Sequence, residues 1–398
     1  MRFTMSMCLL LFGCAAFAAN VTVGCPGGTP GDYPSITAAL AALDPQGPHT
    51  ITVTGTCTEN ILINQRERLT IQAPAGQTAT IVAAGPFVSA LEARSSLGLT
   101  LRNLIVRSNR SSIAIFTNSS ATITAVTVEN TNGVALDLVG ADATIGGFNA
   151  ADAVTVRGGL RCVACSAFIA GWVTVENSTL SGLGVDAGRV EIFGQRPTTP
   201  PQGGPNVIRN NFNGIVVTNG GAVNMDNINR VENNTASGML LLGGHATVNG
   251  GTTPAGTPFG TTFEGNQRNA VSVLENSNFR SNGPNRFINN GAASVDFRAG
   301  ISAAHSSVVA LTGGEISGSN GPGISADSAS TVRLNGASIT GNSEEGIRLL
   351  HGAVFESIAG NNVPVNGTAS VTCDATAIVF GDFTGIAPFE CAKNDKVK

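Results

Sequence analysis

Asp296 and Arg298 stand two residues apart in the run Ser294-Val-Asp-Phe-Arg298. On a β-strand, alternation turns such a pair to the same face, setting a carboxylate beside a guanidinium. In a cleft the pair would orient a polar substrate; on an open face it is a surface ion pair of little energetic weight. Asp226, in Asn224-Met-Asp226, is a second candidate acid. Other acids, among them Asp137, Asp186 and Asp327, are scattered widely, so few of them could share one ion. His245, His305 and His351 fall near turns. Metal ligation requires converging imidazoles, and two coils of stacked strands already separate groups by roughly 10 Å. No metal site and no cofactor motif is expected.

Six cysteines lie beyond the first 18 residues: Cys25, Cys57, Cys162, Cys165, Cys373 and Cys391. An even set suggests disulfides in an oxidising compartment. Proximity along the chain suggests Cys25–Cys57 and Cys373–Cys391, leaving Cys162–Cys165 as a short-loop bridge. Redox Cys-x-x-Cys pairs work at a helix N-terminus, whereas the flanks here are β-like.

The elements that hold these residues announce themselves through asparagine. Asn210, Asn233, Asn266, Asn289, Asn320, Asn342 and Asn361 recur at intervals that cluster near 23 residues. Most precede a small residue and a short apolar run, as in Gly214-Ile-Val-Val and Gly346-Ile-Arg-Leu. A repeat of this length and content marks a solenoid whose coils stack by β-pairing. Asparagine at a tight turn tolerates a left-handed conformation and can pass side-chain hydrogen bonds from coil to coil. A second recurrence, Val128-Glu-Asn130, Val175-Glu-Asn177 and Val231-Glu-Asn233, reads as an edge glutamate followed by the turn asparagine. Ser35 is placed to cap a short helix with Ile36, Leu40 and Leu43 on one side, a lid for the first coil. Surplus residues in 196–205, 252–260 and 294–302 are excursions from the stack, where solenoids place recognition surfaces. The many phenylalanines are expected to fill the stack, leaving Trp172 and Tyr33 as the aromatic platforms.

The chain opens with Met1-Arg2, an apolar run through Phe12 and the exit Ala16-Phe17-Ala18. This pattern predicts a secretory signal peptide cleaved after Ala18. Leu11-Phe-Gly-Cys14 offers an alternative, lipidation at Cys14. Nothing else is apolar enough to span a membrane. Charged residues are only 12% and the net charge is −4, so the concentrated basic surface that nucleic acid demands is missing.

Taken together, the Gly-Ile-x-x and Asn-Asn repeats over roughly residues 60 to 365, with Tyr33-Pro-Ser-Ile-Thr-Ala-Ala-Leu at the start, resemble the bacterial right-handed parallel β-helix proteins of the pectin-lyase-like superfamily. The resemblance implies an all-β right-handed parallel β-helix solenoid of about a dozen coils, with a short N-terminal capping helix. It divides the chain into a signal peptide (1–18), an N-terminal cap (19–60), coils (61–365), and a C-terminal cap and tail (366–398). Enzymes of that superfamily act on polysaccharides, and hydrolysis there pairs two carboxylates, one protonating the leaving oxygen and one activating water. The polygalacturonase pattern is represented only by Asn224-Met-Asp226, without the Asp-Asp, Gly-His-Gly and Arg-x-Lys elements. Arg280-Ser-Asn-Gly-Pro284-Asn-Arg286 differs in spacing from the pectate-lyase signature. The expectation is therefore a secreted or surface-exposed non-catalytic protein that recognises glycans or cell-envelope components. The alternatives are a lyase or glycoside hydrolase with a site near Asp296 and Arg298 or around Asp226, and a spacer with no ligand. An enzyme should show a groove with clustered carboxylates, a binder an extended polar or aromatic trough, and a spacer neither. Oligomeric state is not legible.

Overall fold

A computed structural model of the chain describes residues 18–198, 203–292 and 298–391. Short strands wind into a right-handed parallel β-helix, each coil contributing one strand to each of three long sheets. The first sheet passes through Ile61–Asn64, Leu91–Arg94 and Ile113–Ile115 and ends at Val371–Cys373 and Phe389–Cys391. The second begins with Ala19–Gly24 on Gln46–Thr54 and ends at Ile378–Gly381. The third runs from Thr56–Thr58 to Ser338–Thr340. Parallel pairing thus extends into the segments at both ends, beyond 61–365.

Alternation explains why these residues form these strands. In Thr331–Asn335 the inward Val332 and Leu334 are fully buried while Arg333 is exposed. Inward residues of successive coils stack into one continuous apolar core. Phe263 lies parallel to Phe287 at 5.2 Å between ring centres, with Phe279 edge-on to Phe287 at 6.0 Å. The N-terminal end is closed by helix α1 (Ile36–Ala42), whose Ile36 and Leu40 are buried. Ser35 Oγ accepts from Ala38 N–H, as expected of the cap. The Glu59 carboxylate also receives the Ile36 and Thr37 amides at 2.8 and 2.9 Å.

The turn asparagines divide their two expected roles between adjacent residues. Asn210, Asn233 and Asn289 adopt positive φ, near +55°. The coil-to-coil hydrogen bonds belong instead to the next residues, Asn211, Asn234 and Asn290, together with Asn266, Asn342 and Asn366. Asn320 is exposed, and Ser319 occupies the ladder position beside it. Asn361 belongs to a different ladder, at the corner between the second and third sheets, with Asn206, Asn229 and Asn285. The glutamates of the Val-Glu-Asn recurrence share one outward file of the third sheet. Two of them, with Glu129 first, join arginines in a continuous ion-pair stack: Arg107, Glu129, Arg157, Glu176 and Arg209. Burial raises the Glu129 pKa, but hydrogen bonds and charge from Arg107 and Arg157 outweigh it and bring it below the ordinary value.

Three disulfides staple the stack: Cys25–Cys57, Cys162–Cys165 and Cys373–Cys391. Among the described residues no helix is long and apolar enough to cross a membrane.

Candidate binding trough on the first sheet

Outward residues of the first sheet form a file, one residue per coil: Leu240, Ser272, Ser302, Ser325, Arg348 and Thr372. Neighbours in such a file repeat at about 4.8 Å. Ser302 and Ser325 floor an open trough of about 510 Å³. One rim carries Asn269, Arg298, Pro322 and Glu344, and the other His305, Asp327 and Ser328.

The first rim is an ion-pair network. Arg298 reaches across two coils to Glu344 at 3.1 Å, and Arg348 binds Glu344 and Glu345 at 2.7 Å each. Both guanidiniums stay about one-third exposed, so donors remain for a ligand. Asn269 is buried beside them; its amide nitrogen donates to Ser272 Oγ, while among the described residues its oxygen has no donor. On the opposite rim the Asp327 carboxylate lies 2.7 Å from Nδ1 of His351, an exposed residue of the next coil. That hydrogen bond, reinforced by the carboxylate's charge, raises the imidazole pKa above its ordinary 6.5. Asp374, in the next coil, receives the His351 amide and Thr376, which hold its pKa down at about 2.

Arg298 precedes the strand Ile301–Ala303 instead of lying on it, so it projects from the rim. Asp296 lies outside the described residues. Asp226 sits on the second sheet, away from the trough, with its carboxylate accepting from Asn224 and Asn249 at 3.1 and 2.8 Å. Asp137 is paired bidentately with Arg161, and Asp186 accepts from Thr218 and Asn219. Arg286 pairs with Glu315. Among the described residues one group of three metal-ligand types converges, Cys25, Cys57 and Glu59; its sulfurs are joined and its carboxylate caps α1.

Sequence reading missed Glu344, Glu345 and Arg348. Their i,i+3 and i,i+4 spacing was visible in Glu344-Glu-Gly-Ile-Arg348, but the run reads as one more coil of the repeat. Chemically, the trough offers hydroxyls along its floor, guanidiniums on one rim and an imidazole on the other. Asp327 follows the strand Ile324–Ala326 and Glu344 precedes the strand of the next coil, Ile347–Leu349, so the two stand on opposite rims.

No protein-family model matches the sequence, and no curated protein is significantly similar to it. Several solved structures are similar in shape. A point variant of the periplasmic alginate epimerase AlgG shares 13% identity at a TM-score of 0.48, covering 88% of this chain and 79% of its own. The A-module of the Azotobacter vinelandii mannuronan C-5 epimerase AlgE4 shares 13% at 0.34, covering 71% and 83%. Pectate lyase Pel9A shares 12% at 0.32, covering 96% and 82%. Identities and scores this low carry nothing about activity.

Proposed function

We propose that this chain is an exported, non-catalytic β-helix protein that recognises a polysaccharide along the trough of the first sheet. The observation that carries this is a hydroxyl floor repeating once per coil between polar rims that keep partly exposed guanidiniums. A polymer of hydroxylated rings can lie along such a file, meeting one coil after another. The unsatisfied Asn269 oxygen is an acceptor built beside its path. Export is supported by the Ala16-Phe17-Ala18 exit and by the three disulfides. Cleavage after Ala18 would fall one bond before the first strand, Ala19–Gly24, and would turn its first nitrogen, which donates to His49 Nδ1, into an α-amine that can still donate.

Asp327, on the rim opposite Arg298 and Arg348 and hydrogen-bonded to the exposed His351, favours a second reading, a lyase that removes a proton beside a neutralised uronate. The purified chain should be tested on pectin, alginate and neutral polysaccharides, with and without calcium, for both turnover and retention in affinity gels. Retention without turnover, weakened at least several-fold by Arg348→Ala, supports recognition. Turnover abolished by His351→Ala, Asp296→Ala or Arg298→Ala would replace it with the enzyme reading.

A further inference from the structure

The phenylalanines do not all fill the stack. Phe168 and Phe193 point outward from strands of the second sheet, Ser166–Ile169 and Arg189–Phe193, and both are partly exposed. Phe148, at the corner one coil before Phe168 and two before Phe193, is 54% exposed and meets Phe193 edge-on at 6.1 Å. Phe168 lies 6.3 Å from Phe193, and the Arg196 guanidinium covers one face of the Phe193 ring at 5.2 Å. Trp172, the only tryptophan, stands at the corner between them, 36% exposed at a φ of +67°. Positive φ is unusual for so bulky a residue. Its indole lies against Gly204, where any side chain would collide, and Gly203 lies beside Phe148.

Beside this aromatic surface a cleft of about 390 Å³ runs over the second sheet, lined by Thr122, Asp142, Thr144, Ser166, Phe168 and Arg189 among others. Its polar groups stand in register: Ser120, Asp142, Ser166 and Arg189 in one file, Thr122, Thr144, Phe168 and Glu191 in the next. Arg189 is neutralised by Glu191 at 2.8 Å. Among the described residues the Asp142 carboxylate meets no donor or cation, although it is exposed in the cleft.

We infer that this cleft and the Phe168–Phe193–Phe148 surface form a second saccharide site, on a different sheet from the trough and specific for a neutral oligosaccharide. Aromatic faces accept the C–H face of a sugar ring, and registered hydroxyls with an unpaired carboxylate accept and donate to its hydroxyls. Within the cleft, Arg189 neutralised by Glu191 and the free Asp142 carboxylate select against an acidic chain, while the Arg196 guanidinium is engaged on the Phe193 ring. The site does not depend on the function assigned to the trough.

The single tryptophan makes the test site-specific. Cellohexaose, xylohexaose, mannohexaose and maltohexaose, with oligogalacturonate as the acidic control, should be titrated into the full exported chain, following tryptophan emission and heat. At least one neutral sugar should give a saturable change. Its Kd should rise about tenfold or more in Phe193→Ala and in Asp142→Asn, and stay unchanged in Arg348→Ala. Asp142 is exposed, so its variant keeps the fold in case Phe193→Ala does not. Absence of saturation with every neutral sugar, an unchanged Kd in Asp142→Asn, or a response to oligogalacturonate alone would each overturn the proposal. Loss of trough binding in Arg348→Ala would leave this outcome untouched.

Discussion

Replacing Asn266 with alanine should destabilise the chain far more than replacing Asn320, although the two look equivalent in the repeat. Asn266 is fully buried. Its oxygen accepts from the Asn234 backbone N–H at 3.2 Å and from the Asn234 amide at 2.8 Å. Its own amide donates to the Val231 carbonyl and to Asn290 Oδ1. Alanine orphans the Asn234 N–H in the interior, while the Asn234 side chain keeps the Ile208 carbonyl at 3.4 Å. One orphaned buried donor costs about 1–3 kcal/mol, and the lost side-chain bonds and vacated volume bring the total to roughly 3–5 kcal/mol. Asn320 is exposed, and its substitution should fall within about 0.5 kcal/mol. Guanidinium unfolding of the two variants, followed by far-UV circular dichroism, compares them directly. Amide exchange at Asn234 reports the local opening. Equal midpoints for the two variants, or a loss below about 1 kcal/mol for Asn266→Ala, would refute the ladder as the reason these asparagines recur.

Three further expectations bear on the rim and the staples. His351 should titrate above the ordinary value near 6.5, and Asp327→Asn should bring it back down, as read by the imidazole proton shifts. The sign follows from a raised folded pKa: this contact stabilises fully below the unfolded value and is lost as pH rises through the folded one. Any stabilisation of the C-terminal coil by Asp374 has the opposite sense, present above the ordinary 3.8 and lost as pH falls toward about 2; Asp374→Asn should abolish that acid dependence in circular dichroism. For the disulfides, chain entropy over separations of 32 and 3 residues gives about 4 kcal/mol for Cys25–Cys57 and about 2 kcal/mol for Cys162–Cys165. Paired serine variants should therefore lower the unfolding midpoint more at the first bridge than at the second.

The fold was legible because its signals are periodic. Apolar alternation and a turn residue every coil repeat often enough to outweigh local ambiguity, and Ser35 with Ile36 and Leu40 read as a capped helix from spacing alone. The ladder was legible only to within one residue, since Asn210-Asn211, Asn233-Asn234 and Asn289-Asn290 are doublets whose members do different work. The trough was harder. Arg298 meets Glu344 across 46 residues, a distance fixed by the lengths of two intervening coils and not by any local motif. Phe168 and Phe193 could not be separated from Phe263 and Phe279 by composition, because inward and outward places on a strand differ by a single residue of register.

The serine at position 319 has a consequence for how the molecule holds together. Its amide donates onward to Asn342, but among the described residues its hydroxyl meets no partner, so the side-chain relay that descends from Asn211 to Asn290 resumes only at Asn342. Backbone pairing continues across this seam, yet the stack is sewn there by one thread fewer. The trough straddles it, with Ser302 and Arg298 above and Ser325, Glu344 and Arg348 below. A polymer bound along the floor would therefore act as a splint, and mass action would transmit its affinity into the cohesion of the two blocks. Occupancy and mechanical integrity become one thermodynamic quantity, measurable from either side.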